Sequence, residues 1–403
     1  MKKLTVFILS LFMMLMVGSQ SVLANNRIDA SAAIMADAST GQIIYKQNVD
    51  KALPVASITK LLTILVIEDE IQQKQLSWDT QVKITPEIAA ISNDAAYSSI
   101  GLKSGQSYSV RTLINAALVK SADGATVALA TATGDGTDEF NLKMMQKAKK
   151  IGMTKTNIVN SVGLDNGDMK SFKLADLPNN AANTMSARDV AILSQYFVKH
   201  YPELLQITAQ KEVKFQIAKD QVKTEKNPNK MLPGEQYAVK GVTIDGLKTG
   251  TSDSAGACFA STGKYQGHRI ITVILHSKGS NKDNRFKATQ NLYKILKTED
   301  HLQKIKVPSS VTTRKVANGV EKTMKLTPQQ VTIWSPYDTK TDYTIGTQYK
   351  KKKLEAPIWK GERVGSLRIT SDQLETLNGE PLTYSLYSAN DVRRGNFWQR
   401  LLH

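Results

Sequence analysis

The chain has 403 residues, 53 of them Lys or Arg against 36 Asp or Glu, giving a formal charge of +17, with 41% hydrophobic side chains and a single cysteine. At about 100–200 residues per domain this predicts two or three domains with ordinary cores. It excludes intrinsic disorder, because so much apolar side chain can bury a core; a disulfide scaffold, because one Cys closes no intrachain bridge; and a polytopic membrane protein, because after the N-terminus no stretch approaches the roughly 18–20 uncharged apolar residues that a span needs.

Residues 1–24 read as a signal peptide. Lys2 and Lys3 make a positive start, Leu4 to Val17 form an uncharged, mainly apolar run, and Val22-Leu23-Ala24 supply a cleavage site. A mature chain from Asn25 is exported and keeps a charge of +15, which points to anionic partners at the cell surface, lipid headgroups or wall polymers. Charge kept for solubility alone is the competing explanation. No aromatics interleave the basic runs, so no nucleic-acid partner is expected.

Along the mature chain, Ala32-Ala33-Ile34-Met35 and Ile43-Ile44-Tyr45 flank the turn-rich Asp37-Ala38-Ser39-Thr40-Gly41 and predict a hairpin. Beyond Pro54, Leu61, Leu62, Leu65 and Val66 recur at helical spacing from Ser57 to Ile71; the helix is apolar on several sides and therefore central. Further helical patterns cover Val110 to Leu118, Gly124 to Ala132, Glu139 to Ile151 and Ala187 to Val198, and strand patterns return at Lys240 to Gly250, Ala257 to Thr262 and Ile270 to His276. The order predicts an α+β domain over residues 25–302, whose sheet takes its edge from the N-terminus and its centre from late sequence. Residues 303–385 show short apolar runs broken by Gly, Pro and Asn about every ten residues, a small all-β domain. Over 386–403, Phe397, Trp398, Leu401 and Leu402 share one face of an expected amphipathic helix flanked by Arg393 and Arg400.

Three short motifs carry chemistry. In Ser57-Ile58-Thr59-Lys60, positions i and i+3 of a helix share a face, so the Lys60 amine can sit beside the Ser57 hydroxyl and, when neutral, take its proton. An ordinary lysine is charged at neutral pH; burial and a second nearby cation both disfavour that form, so the site needs a positive partner. Lys248-Thr249-Gly250-Thr251 offers that cation on a strand, with hydroxyls suited to a carboxylate and a glycine that lets backbone approach a ligand. Ser121-Ala122-Asp123, between two helical patterns, adds a hydroxyl and an acid. Singly, each has a plainer role: Ser57 as an N-cap, Lys248 at an exposed strand end, Asp123 as a cap between helices. A second S-x-x-K, Ser261 to Lys264, lies before the turn Tyr265-Gln266-Gly267 and is incidental. Cys258 reads as a small buried hydrophobe, and His200, His268, His276, His301 and His403 form no ligand spacing, so no metal and no cofactor is expected.

Together and in this order, S-x-x-K and K-T-G form the motif set of penicillin-binding proteins and serine β-lactamases. The chain resembles the low-molecular-mass penicillin-binding proteins that act as serine D-alanyl-D-alanine carboxypeptidases, also at Gly152-Met153-Thr154-Lys155-Thr156, Asn160-Ser161-Val162-Gly163-Leu164, Asp245 to Gly250 and Ala356-Pro357-Ile358-Trp359-Lys360-Gly361. The resemblance implies a penicillin-binding (serine β-lactamase-like) catalytic domain, with Ser57 as nucleophile, Lys60 as general base and Ser121 as proton relay. Lys248, Thr249, Gly250 and Thr251 would bind the substrate carboxylate, and the N–H groups of Ser57 and Thr251 would make the oxyanion hole. It implies peptidoglycan stem pentapeptides as substrate, β-lactam antibiotics as covalent inhibitors, an anionic membrane surface as partner of the tail, and a place at the outer face of the cytoplasmic membrane or in the wall. One substrate-binding position departs from the family: its middle motif ends in Asn, and here it is Asp123. An ionised Asp accepts but cannot donate, and beside Lys60 it would hold the amine protonated. The alternatives are a β-lactamase and a weakly active wall-binding protein.

Overall fold

The computed structural model describes residues 27–351 and 353–398, so the signal peptide expected at 1–24 and residues 399–403 of the tail lie outside the described residues. The N-terminal hairpin forms as expected, β1 Ala30–Asp37 and β2 Ile43–Gln47. It joins β3 Thr243–Ser252, β4 Gly256–Tyr265 and β5 His268–Ser277 in an antiparallel sheet of order β3-β4-β5-β1-β2. β2 is one edge and late sequence fills the centre, and the other edge, β3, carries the Lys248 motif.

One face of this sheet packs on helices. α1, Thr59–Gln72, buries Leu61, Leu62, Ile64, Leu65, Val66 and Ile67, and only its last turn meets solvent. Around it lie α2 Asp123–Ala130, α3 Thr137–Lys150 and α4 Ala187–His200. The opposite face is covered by α5, Asn284–Glu299, whose Phe286, Leu292, Tyr293 and Leu296 pack on Phe259 and Ile274. Composition and periodicity up to Ser277 gave no account of α5.

The second domain is built on a six-stranded sheet whose spatial order is Thr344–Tyr349, Arg363–Thr370, Leu382–Ser388, Thr323–Pro328, Thr313–Ala317, Leu354–Glu355. A further pair, Asp300–Lys304 with Thr332–Pro336, leans on the catalytic domain. From it Trp334 donates its Nε1–H to Asp37 Oδ2 at 3.1 Å and exchanges two hydrogen bonds with the Gln42 side chain, at 2.7 and 2.9 Å. Asp37 is buried, which disfavours its ionised form, but donation from His268 and Trp334 and the His268 charge outweigh this and hold its carboxyl below the usual range.

The tail departs from expectation. Residues up to Ser388 are strand, Val392 bridges Ile358 and Arg394 bridges Gly319, so the helix predicted from 386 does not begin there. Backbone pairing in the β domain takes this segment, Arg393 and Arg394 included, and helical backbone starts only at Phe397.

Candidate active site

The Ser57 segment does not open its helix in the ordinary way. Ala56–Ile58 form one 3-10 turn with Ala56 at φ +48°, and α1 follows from Thr59 with no side-chain cap. A capping serine turns its oxygen onto the helix amides. Ser57 Oγ instead accepts a hydrogen bond from Lys60 Nζ at 2.7 Å. Lys60 is wholly buried, and its Nζ also donates to Asp123 Oδ1 at 2.7 Å and to the carbonyl of Val162 at 3.1 Å.

The loop around Asn160-Ser161-Val162-Gly163-Leu164 presents that carbonyl. Asn160 Oδ1 accepts the N–H groups of Val162 and Gly163 at 3.0 and 2.7 Å, which fixes the loop. Gly163 has φ +88°, and a Cβ there would stand 2.0 Å from the carbonyl oxygen of Ala56, so only glycine lets the loop press against the Ser57 turn.

Ser121 ends a helical stretch, Val110–Asn115 continuing as the wider turn Ala116–Lys120, and adopts φ +71°. This break brings its hydroxyl to the wall of the cleft that Ser57 lines. α2 then starts at Asp123, whose Oδ2 accepts the backbone N–H of Ser98 at 2.9 Å. Both oxygens of Asp123 are therefore engaged within the protein, and the residue sits against Lys60 instead of offering a donor to substrate, the part expected of an Asn.

β3 completes the site. Gly250 has no room for a side chain, since a Cβ would lie 2.4 Å from the carbonyl oxygen of Val55, so the sheet edge lies directly against the Ser57 turn. Thr249 and Thr251 line the cleft, and Lys248 is buried with Nζ donating to the Thr249 carbonyl at 3.1 Å. Sequence reasoning missed Arg285. It reaches in from α5, its Nη1 donates to Thr251 Oγ1 at 2.8 Å and to the Gly250 carbonyl at 2.9 Å, and it lines the cleft although nearly buried. Nothing marks this arginine in a surface-like helical pattern. Ser98 and Val162, which hold Asp123 and Lys60 through backbone groups, leave no side-chain signal either.

The electrostatics follow from burial. Burial pulls the Lys60 amine below the ordinary lysine range, while the charge and hydrogen bond of Asp123 oppose the shift. A second cation is thus not what lowers Lys60. Repulsion between the amines appears at Lys248 instead, which is pushed well below the ordinary range by burial, then by Lys60, with Arg285 adding to it and Asp123 opposing. The cleft has a volume of about 260 Å³ and is open to solvent. A larger opening of about 490 Å³ between the domains is lined by Gln266, His268, Lys304 and Tyr384 among others. Ser261 of the incidental S-x-x-K is buried in β4 on Thr272, and Cys258 is buried with its thiol pushed up to about 11.

The sequence family described as D-alanyl-D-alanine carboxypeptidase (peptidase S11) matches residues 19–279, well over half of the chain. The chain belongs to this family. A second family, described as penicillin-binding protein 5, C-terminal domain, matches residues 296–394. Among its relatives, D-alanyl-D-alanine carboxypeptidase DacF of Bacillus subtilis is 25% identical over 92% of this chain and 87% of its own. DacC of Escherichia coli is 26% identical over 93% and 87%. The crystal structure of a peptidoglycan synthesis regulatory factor (PBP3) from Streptococcus pneumoniae superposes with a TM-score of 0.82 at 28% identity, covering 91% of this chain and all of that one. Ampicillin-bound penicillin-binding protein D2 of Listeria monocytogenes covers 67% of this chain and 97% of its own, with a TM-score of 0.54 and 29% identity.

Proposed function

We propose that Ser57 attacks the carbonyl carbon of the penultimate D-alanine of a peptidoglycan stem pentapeptide. The protein is a serine-type D-Ala-D-Ala carboxypeptidase, so the reaction to account for is loss of the terminal D-alanine through an acyl-enzyme and its hydrolysis by water. What supports this placement is the 2.7 Å contact of a buried lysine with the hydroxyl of Ser57, which lines a cleft together with Ser121, Thr249, Thr251 and Arg285. Lys60 is the base in this reading and Ser121 delivers a proton to the leaving amine. Lys248, Thr249, Thr251 and Arg285 hold the terminal carboxylate, Gly250 lets the strand come close, and the Ser57 and Thr251 N–H groups receive the developing oxyanion.

A β-lactam presents a carboxylate and an acylating carbonyl to the same groups, so it is a covalent inhibitor here. A β-lactamase reading has no observation of its own. The work is done outside the cytoplasm at the outer face of the membrane, with Phe397 and Trp398, both strongly exposed, leading the tail onto an anionic lipid surface. Among the described residues no helix is long and apolar enough to cross a membrane. D-alanine release from a pentapeptide by the wild type and by Ser57→Ala tests the central assignment: the variant should release none above background, and undiminished release would refute it.

A further inference from the structure

We propose that Asp123 is the terminal proton acceptor of a Ser57–Lys60–Asp123 relay. The proposal rests on the reading of Ser57 as nucleophile. Lys60 Nζ faces three acceptors, Ser57 Oγ, Asp123 Oδ1 and the Val162 carbonyl, which match the three N–H bonds of an ammonium. An amine spent on three acceptors has no lone pair for the Ser57 proton unless it gives one of its own away. The group placed to receive it is Asp123 Oδ1, at 2.7 Å, in a pair whose side chains are 0% and 4% exposed. The Ser98 N–H holds Oδ2 at 2.9 Å, so Asp123 is aimed at the lysine and at nothing else on that side. Of the other ionisable groups around the pair, Lys248 acts on it from β3 with Arg285 near Lys248 from α5, and Tyr97, Lys120 and Lys226 line the same cleft; none of these is a second carboxylate.

The step balances within the site. As Ser57 Oγ bonds to the substrate carbonyl carbon, its proton passes to Lys60 Nζ while one proton already on Nζ passes to Asp123 Oδ1. Lys60 ends with three hydrogens as it began, and Asp123 ends as the neutral acid. When the adduct collapses and its C–N bond breaks, a proton returns from Asp123 through Lys60 and Ser121 to the leaving nitrogen, and the ion pair is restored. No proton has to be lost to solvent before attack. This is how a carboxylate in the place of the family's Asn need not stop the lysine from serving as base.

The test is the single-turnover acylation rate of the full mature protein by a fluorescent penicillin, as a function of pH and in H₂O/D₂O mixtures, for wild type and Asp123→Asn. From about pH 6.5 to 9 the wild-type rate should change less than about threefold and its isotope plot should curve, as two protons move together. In Asp123→Asn the amide cannot accept, Lys60 must shed a proton first, and the rate should climb about tenfold or more over the same range with a linear isotope plot. Two results overturn the relay: a wild-type rate that climbs steeply through this range with the climb moved to lower pH in Asp123→Asn, which makes the carboxylate a brake on Lys60, or identical profiles and plots in both proteins. Should Asp123→Asn fail to fold, a steep climb or a linear plot in the wild type alone refutes the relay. Mapping the adduct keeps the two readings apart, since an adduct away from Ser57 overturns the nucleophile and an adduct on Ser57 with these profiles overturns only the relay.

Discussion

Replacing Arg285 by Gln separates carboxylate recognition from chemistry. The guanidinium is nearly buried, its Nη1 is used on the Gly250 carbonyl and Thr251 Oγ1, and its Nη2 has no partner among the described residues while the residue lines the cleft. A hydrogen bond to a charged group contributes about 1.5–3 kcal/mol. At about 1.4 kcal/mol per tenfold, removing one carboxylate contact lowers kcat/KM by about 10- to 150-fold. A second effect pulls the other way. Arg285 is one of the charges that depress the Lys248 amine, so its removal lets Lys248 take up a proton more readily and return a positive charge to the same wall. The expected loss therefore falls toward the lower end, about 10- to 30-fold. The assay compares kcat/KM for a peptide ending in D-Ala-D-Ala with that for the same peptide ending in the amide, with a thermal melt to show that Arg285→Gln is folded. The loss should be confined to the free acid. An equal loss on both peptides, or none in a folded variant, refutes the claim that Arg285 reads the carboxylate.

Two other perturbations probe what positions the site and the protein. Gly163→Ala puts a Cβ 2.0 Å from the Ala56 carbonyl at φ +88°, so the loop must retreat from the Ser57 turn; a shift of about 1 Å at the nucleophile lowers acylation by about 100-fold, and an unchanged rate in stopped-flow measurements would show that this contact does not set the geometry. Removing residues 397–403 should release the mature protein from anionic vesicles in a sedimentation assay with acylation intact, whereas equal binding with and without them ends the lipid role of the tail.

Much of this architecture is legible in the residues because local pattern and final environment agree. Leu61, Leu62, Leu65 and Val66 mark α1 as apolar on several sides, and all but its last residues are buried. The N-terminal hairpin and the three late strands read as period-two or turn-bounded runs and pair as neighbours. The tail misled because Arg393 fits the flank of an amphipathic helix equally well, and only the pairing of 393–395 with the backbone of Asn318, Gly319 and Val320 shows why this segment stays extended. In the site, the hydroxyls and lysines announce themselves by spacing, but the groups that fix them are carbonyls and N–H donors, Val162 and Ser98, which any residue supplies. Arg285 is invisible for a related reason: its role depends on α5 packing on β4 and β5 so that the side chain reaches Gly250 and Thr251 of β3, which is a consequence of the tertiary fold and not of nearby sequence. The depression of the amines was expected from burial together with a second cation; at Lys60 burial is the cause, because its side chain is wholly enclosed.

The central claim is that Ser57 is the acylated residue of a carboxypeptidase, and peptide mass spectrometry of the penicillin-treated mature protein measures it directly, read beside D-alanine release from a pentapeptide. One adduct per chain, carried by the peptide containing Ser57, together with loss of both adduct and D-alanine release in Ser57→Ala, is the result expected. An adduct on Ser121 or any other residue, or D-alanine release that survives in Ser57→Ala, would contradict it.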